Sequence, residues 1–399
     1  MSTVWQQPLP PIYEKLSDAE LRLRIATAKE SLGRRLVILG HHYQQDAVIE
    51  FADFTGDSFE LSRRAAEQKD IDYVIFCGVH FMAESADILT DERVQVVLPD
   101  LGAGCSMADM ANLDQTLDAW EQLATACPGQ RIVPITYMNS SAAIKAFVGE
   151  HGGAVCTSSN CRQVLEWALN ANDASASAAK TKILFFPDQH LGRNTAFSMG
   201  YPLDRMVVWD PNRDLGGNDP DKLREADFVL WKGHCSVHQL FRPEHVDQVR
   251  AKYPRMKVIV HPECRWEVVQ KADISGSTAK IVKLIEAAPP GSEWAVGTEV
   301  HLITRLARAH PEQKIIVLSD CQCLCTTMYR IDLPHLCWAV ENLVQGKVVN
   351  PIKVDATTRR WATIALERML SITSAANAPS AALATPIAAP VVTPIVTMD

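Results

Sequence analysis

Three cysteines in this 399-residue chain share a local signature, because Cys105-Ser106, Cys235-Ser236 and Cys325-Thr326 each place a hydroxyl residue directly after the thiol. Three thiolates gathered at one point can hold a [4Fe–4S] cluster with one iron left without a protein ligand, whereas an electron-transfer cluster normally has four Cys ligands. The free iron is then a Lewis acid. Zinc with three Cys and a water is the rival metal, and three unrelated buried thiols are the plain alternative. No Cys-x-x-Cys pattern occurs, so the metal expectation rests on the three cysteines holding matching positions. Cys321 and Cys323 compete with Cys325, but only Cys325 has the hydroxyl neighbour. Cys77, Cys127, Cys161 and Cys337 stand in apolar or helical settings and read as small buried hydrophobes.

Two further sets of polar residues recur. His41 and Tyr43, Tyr137 and Asn139, and His261 and Glu263 are i, i+2 pairs leaving a β-branched run, so extended backbone turns both members of a pair to one side. Glu263 is the candidate general base, with His261 and Tyr43 as further proton carriers. Gly56-Asp57-Ser58, Thr157-Ser158-Ser159-Asn160 and Ser275-Gly276-Ser277-Thr278 have N-cap residue types ahead of helical stretches. Helix N-termini of that kind suit carboxylates and phosphates. Ser58, Ser158, Ser277 and Thr278 are therefore the candidate anion holders. Any one pair or cap alone reads as an ordinary strand end or helix start; their repetition favours a shared pocket.

Positioning these residues requires a repeated scaffold. Short β-branched runs alternate with helix-period stretches, the pattern of parallel sheets covered by helices, and this alternation occurs three times. From the second member of the pair to the hydroxyl is 15 positions for Tyr43 to Ser58, 19 for Asn139 to Ser158 and 14 for Glu263 to Ser277. From hydroxyl to Cys is 47, 77 and 48, the excess in the second copy matching an insertion around Asn212 to Glu225. The last strand of the second copy is expected at Met206–Trp209. The fold class expected is α/β, with three similar three-layer α/β/α domains in a pseudo-threefold arrangement around one central site. The boundaries expected are 1–32 as a helical lead-in, 33–115, 116–241 and 242–330 as the repeats, 331–374 as a helical segment and 375–399 as a disordered Ala/Pro tail.

Composition narrows the function classes. Hydrophobic residues make up 47% of the chain, in the globular range, and a net charge of −8 removes the basic footprint of nucleic-acid binding. No apolar run reaches the ~20 residues of a membrane span, and the first residues lack a secretory pattern. Eleven cysteines without an export signal point to a reducing compartment, so the cytoplasm is the expected location.

The motifs Ile38-Leu39-Gly40-His41-His42-Tyr43-Gln44, Ala52-Asp53-Phe54-Thr55-Gly56-Asp57-Ser58, Pro99-Asp100-Leu101-Gly102-Ala103-Gly104-Cys105-Ser106, Tyr137-Met138-Asn139-Ser140-Ser141, His261-Pro262-Glu263-Cys264 and Gly276-Ser277-Thr278, in this order, closely resemble the quinolinate synthase family. The resemblance covers about residues 33–372. It implies a transferase of NAD biosynthesis that condenses iminoaspartate with dihydroxyacetone phosphate to quinolinate, phosphate and water. It also implies one [4Fe–4S] cluster on Cys105, Cys235 and Cys325, and functional coupling to an aspartate-oxidising enzyme. Substrate contacts by His41, Ser58, Tyr137, Asn139, Ser158, His261, Glu263, Ser277 and Thr278 follow from the same motifs. The crowding of Cys321, Cys323 and Cys325 departs from the single Cys of such an ending. Another open-cluster hydro-lyase and a non-enzymatic iron–sulfur sensor are the alternative functions.

Overall fold

The structure is a computed structural model that describes residues 6–170, 181–320 and 323–377. Among these residues thirteen strands form three parallel arrays. The first holds β1 (Leu36–His41), β2 (Phe54–Gly56), β3 (Tyr73–Cys77) and β4 (Gln95–Val97) in the order β2-β1-β3-β4. The second holds β5 (Arg131–Tyr137), β6 (Ala154–Cys156), β7 (Thr181–Phe186), β8 (Met206–Trp209) and β9 (Phe228–Trp231) in the order β6-β5-β7-β9-β8. The third holds β10 (Lys257–Val260), β11 (Ile274–Ser275), β12 (Glu293–Gly297) and β13 (Lys314–Val317) in the order β11-β10-β12-β13. Central strands such as β1 are buried throughout, which is why they read as unbroken apolar runs instead of alternating ones. The α/β class and the threefold repetition are thus both present.

The copies match at the level of single hydrogen bonds. In the first, the Ile38 N–H donates to Asp53 Oδ2 at 2.8 Å while the Asp53 N–H donates to the Ile38 carbonyl at 2.8 Å. In the third, Val258 and Asp273 make the same reciprocal pair at 2.7 and 2.9 Å. In these two copies the clamp fixes where the chain returns after the first strand, and so where the hydroxyl residue stands.

One expectation is corrected. The last strand of the second copy is β9, which pairs with β7 as β4 pairs with β3; Met206–Trp209 is an added edge strand, β8, lying outside β9. The insertion therefore begins earlier than Asn212, taking in β8 as well as the helix Pro220–Glu225. The two runs, Met-Val-Val-Trp and Phe-Val-Leu-Trp, have nearly the same apolar pattern, and only the hydrogen-bonded partner distinguishes an edge strand from an inner one.

The flanking segments tie the copies together. The lead-in carries the helix Asp18–Leu32, whose Arg24 grips Glu341 through two hydrogen bonds of 2.7 and 2.6 Å. The expected C-terminal helical segment also contains a strand, β14 (Pro351–Ile352), antiparallel to β4. Buried Asp87 then receives the Val354 N–H at 3.0 Å and the Lys353 and Arg359 side chains at 3.2 Å each. The last helix, Ala356–Asn377, crosses the helix Ala142–Glu150. Residues 375–377 end that helix, and the rest of the expected tail lies outside the described residues.

The crossing is close because Gly149 has no side chain: a Cβ there would lie 2.0 Å from the Trp361 carbonyl oxygen. Gly149→Ala should destabilise the protein by about 1–3 kcal/mol, the usual cost of overpacking, read as a lower urea midpoint with an unchanged slope. A midpoint equal to the parent protein's would mean that the two helices are not locked at this point.

Candidate functional site

One pocket gathers residues from all three sheets. It is lined by His41, Tyr43, Asp57 and Ser58 from the first, Tyr137, Asn139, Thr157 and Ser158 from the second, and His261, Glu263 and Thr278 from the third. Cys105, Cys235 and Cys325 line it as well, with Phe81, Met82, Met107 and Met328 as apolar walls. These residues leave the carboxyl ends of the parallel strands, where loops and helix N-termini converge in this class of fold.

The cysteine turns repeat with near-identical hydrogen bonding. The Cys105, Cys235 and Cys325 carbonyls accept from the N–H groups of Asp109, Gln239 and Tyr329 at 3.1, 3.0 and 3.1 Å. Two residues before each cysteine, the carbonyls of Ala103, Gly233 and Cys323 accept from His80, Gln189 and Val300 at 2.8, 3.1 and 3.2 Å. Cys323 therefore occupies the position of Ala103 and Gly233. It is fully buried in the apolar cluster around Val258 and Val260, while Cys325 opens onto the pocket. Cys321 lies outside the described residues. Cys77, Cys127, Cys161 and Cys337 are buried, as their settings predict.

Each pocket thiol is met by backbone N–H groups of its own turn: Ala108 and Met107 for Cys105, His238 for Cys235, and Met328 and Thr327 for Cys325. Burial pushes the Cys105 thiol up to about 12 and raises Cys235 and Cys325, and mutual repulsion among the sulfurs adds to this at Cys105 and Cys235. Among the described residues no Lys or Arg lines the pocket to favour thiolates. A multiply charged metal centre would supply that stabilisation, since coordination deprotonates a thiol outright. The donor set fits such a centre. A single zinc ion with bonds of 2.3 Å in a tetrahedron requires sulfurs roughly 3.8 Å apart. Among the described residues the ligand atoms lying within 4.8 Å of one another are those of Cys235, His238 and Glu263, and not the three thiols together.

The first and third pairs share a device. The His41 Nδ1 accepts the Tyr43 N–H at 3.1 Å, and the His261 Nδ1 accepts the Glu263 N–H at 3.3 Å. Each ring is thereby set to carry its proton on Nε2. Burial, reinforced by neighbouring histidine, lowers His41 and His261 to about 3, so both are neutral donors at pH 7.

Glu263 is 3% exposed. Burial alone would raise its pKa, but His238 and His261 together with hydrogen bonds from His238 and Tyr137 outweigh burial and hold it near 2. The His238 Nδ1 stands 2.7 Å from Glu263 Oε2 in a close but bent contact. The Tyr137 hydroxyl donates to the same carboxylate.

Ser277 stands beside Thr278, which lines the pocket. Its hydroxyl caps the helix Thr278–Glu286 by accepting from the Lys280 N–H at 3.3 Å, as Asp57 caps the helix Ser58–Glu67. Thr278, not Ser277, is the counterpart of Ser58. With that alignment the distances from pair to hydroxyl and from hydroxyl to Cys become 15 and 47 in both copies. His238, Asp57, Thr157 and Thr327 also line the pocket and escaped the sequence reading. The signal for His238 was its place three residues after Cys235, where Ala108 and Met328 stand in the other turns.

A family model described as quinolinate synthetase A protein matches residues 23–371. The quinolinate synthase of Acidobacterium capsulatum is 58% identical over 363 residues, covering 90% of this chain and 95% of that protein. That of Nocardioides sp. is 57% identical over 365 residues, covering 91% of each. That of Corynebacterium glutamicum is 53% identical over 371 residues, covering 93% and 92%. Together with the motifs around all three cysteines, these matches over nearly the whole chain show that it belongs to the quinolinate synthetase A family.

Proposed function

We propose that the chain is a quinolinate synthase that condenses iminoaspartate with dihydroxyacetone phosphate, releasing phosphate and water, as a transferase in NAD biosynthesis. The observation that carries this reading is the convergence of three equivalent cysteine turns and three polar strand ends on one pocket. Cys105, Cys235 and Cys325 would hold a [4Fe–4S] cluster there, each through its own turn. When bound, the cluster supplies a Lewis-acidic iron without a protein thiolate, able to polarise a substrate oxygen.

The remaining chemistry belongs to side chains. Glu263 is ionised and acts as the general base, with the Tyr137 hydroxyl and His238 holding its carboxylate in place. His41 and His261 are neutral and offer Nε2–H to substrate oxygens without adding a charge. Asn139 has a buried Oδ1 with no partner among the described residues, which suits it to a substrate group. Ser58, Ser158 and Thr278 stand at or before helix starts and hold carboxylate or phosphate oxygens. Ser277 supports Thr278 from the cap. Among the described lining residues, neutral donors meet the two polyanionic substrates. Iminoaspartate would come from an aspartate-oxidising enzyme.

Anaerobic reconstitution with iron and sulfide, followed by an assay for quinolinate from the two substrates, tests the reading. Product formation supports it, and a fully reconstituted protein that yields none refutes it. Glu263→Gln should keep the visible absorbance of the cluster and lose about 10²- to 10⁴-fold in kcat, the range of general-base catalysis. Among the cysteines, single Ala substitutions at 105, 235 and 325 should each abolish that absorbance, while Cys321→Ala and Cys323→Ala should retain it. An intact chromophore in Cys325→Ala would move the third ligand upstream.

A further inference from the structure

Among the described residues one set of ligand-type atoms gathers as a single cation requires. The Cys235 sulfur, a His238 ring nitrogen and a Glu263 carboxylate oxygen lie within 4.8 Å of one another. His238 is 1% exposed and Glu263 3%, and both line the pocket onto which Cys235 opens. A tetrahedral zinc ion with bonds of about 2.0–2.3 Å sets such atoms roughly 3.3–3.6 Å apart. His238 Nδ1 and Glu263 Oε2 stand at 2.7 Å, so they part slightly to admit the ion while the sulfur draws in.

The His238 ring is already aimed. Its Nε2 is engaged by Thr298 Oγ1 at 3.1 Å, and the ring stacks on His261 with centroids 4.5 Å apart and planes at 22°. Nδ1 is left facing the carboxylate, buried and without a well-angled hydrogen bond among the described residues. A ligating imidazole is ordinarily held through its other nitrogen in this way. Cys235 and His238 come from one turn, which runs into the short helix His238–Leu240, and Glu263 comes from the loop after β10. In the other copies Ala108 and Met328 stand in place of His238, and Tyr43 and Asn139 in place of Glu263. The set therefore belongs to the seam between the second and third copies.

We propose that Cys235, His238 and Glu263 form a site for one divalent cation of the zinc class, filled in the cluster-free protein and closed to it once the cluster is in place. Sulfur, imidazole and carboxylate are the donors that zinc combines, and three protein ligands leave the fourth position to water. On binding, the Cys235 thiol gives up its proton to solvent and ligates as thiolate. The cluster needs the same sulfur, so the two centres exclude one another. Only this exclusion rests on the functional reading given above; the cation site itself does not. A chain that has taken up zinc has its candidate base tied down and one cluster ligand occupied.

Cobalt(II), which is coloured where zinc is silent, probes the site in cluster-free full-length protein under anaerobic conditions. One equivalent should give the intense visible bands of tetrahedral cobalt with a thiolate-to-cobalt charge-transfer band. Cys235→Ala, His238→Ala and Glu263→Gln should each weaken binding by more than about 100-fold, beyond the 10- to 100-fold that loss of an outer partner costs. Cys105→Ala and Cys325→Ala should bind cobalt as the parent protein does. Loss of binding in either of these two, or unchanged binding in His238→Ala and Glu263→Gln, overturns the proposal. X-ray absorption of the cobalt-loaded parent protein does not depend on any variant folding: one sulfur among nitrogen and oxygen ligands is expected, and two or three sulfurs overturn the assignment. Reconstituted protein dialysed against the same cobalt should retain no more of it than Cys235→Ala does; a full equivalent beside an intact cluster refutes the exclusion. A reconstituted enzyme that makes no quinolinate would defeat the functional reading and leave the cobalt titration to judge the site.

Discussion

The structure depends on three thiols lining one pocket in which, among the described residues, no Lys or Arg stands beside them. Burial and mutual repulsion oppose their ionisation, and the backbone answers with N–H groups aimed at each sulfur from its own turn. Such bonds favour the charged form but leave most of the desolvation cost to whatever binds there. The proposed metal centre, which would deprotonate its ligands, would resolve the conflict. The threefold repetition then follows as a geometric requirement: one turn, built once and used three times, delivers three sulfurs to a common point with the same bracing.

That repetition also explains the division of labour. Each copy supplies a thiol, a strand-end pair and a helix start, so the scaffold is symmetric where it holds things. It is asymmetric in the residues to which chemistry is assigned in the proposal. Glu263 belongs to the third copy alone, and His238 fills a turn position taken by Ala108 and Met328 in the others. The same his-to-backbone device fixes the rings of His41 and His261, while Tyr137 in the second copy is turned instead to the Glu263 carboxylate.

Much of this was legible in the residue order. The α/β class, the triplication and the hydroxyl-flanked cysteines are local patterns, and the pairs ending the first strands keep their types whatever the packing. The structure departs from that reading where a pattern had two equal fits. Met206–Trp209 and Phe228–Trp231 look alike until their partners in the sheet are known, and adjacent Ser277 and Thr278 differ only in which one caps the helix. His238 was hidden for another reason: a histidine at a turn is common, and its value here comes from Glu263, 25 positions away.

The claim beneath all of this is that three copies deliver their sulfurs to one iron centre. An anomalous difference map, collected at the iron absorption edge from anaerobically grown crystals of the reconstituted protein, tests it most directly. The account predicts a single compact peak per chain in contact with the sulfurs of Cys105, Cys235 and Cys325. A peak seated on Cys321 or Cys323, or one touching fewer than three of those sulfurs, would contradict it.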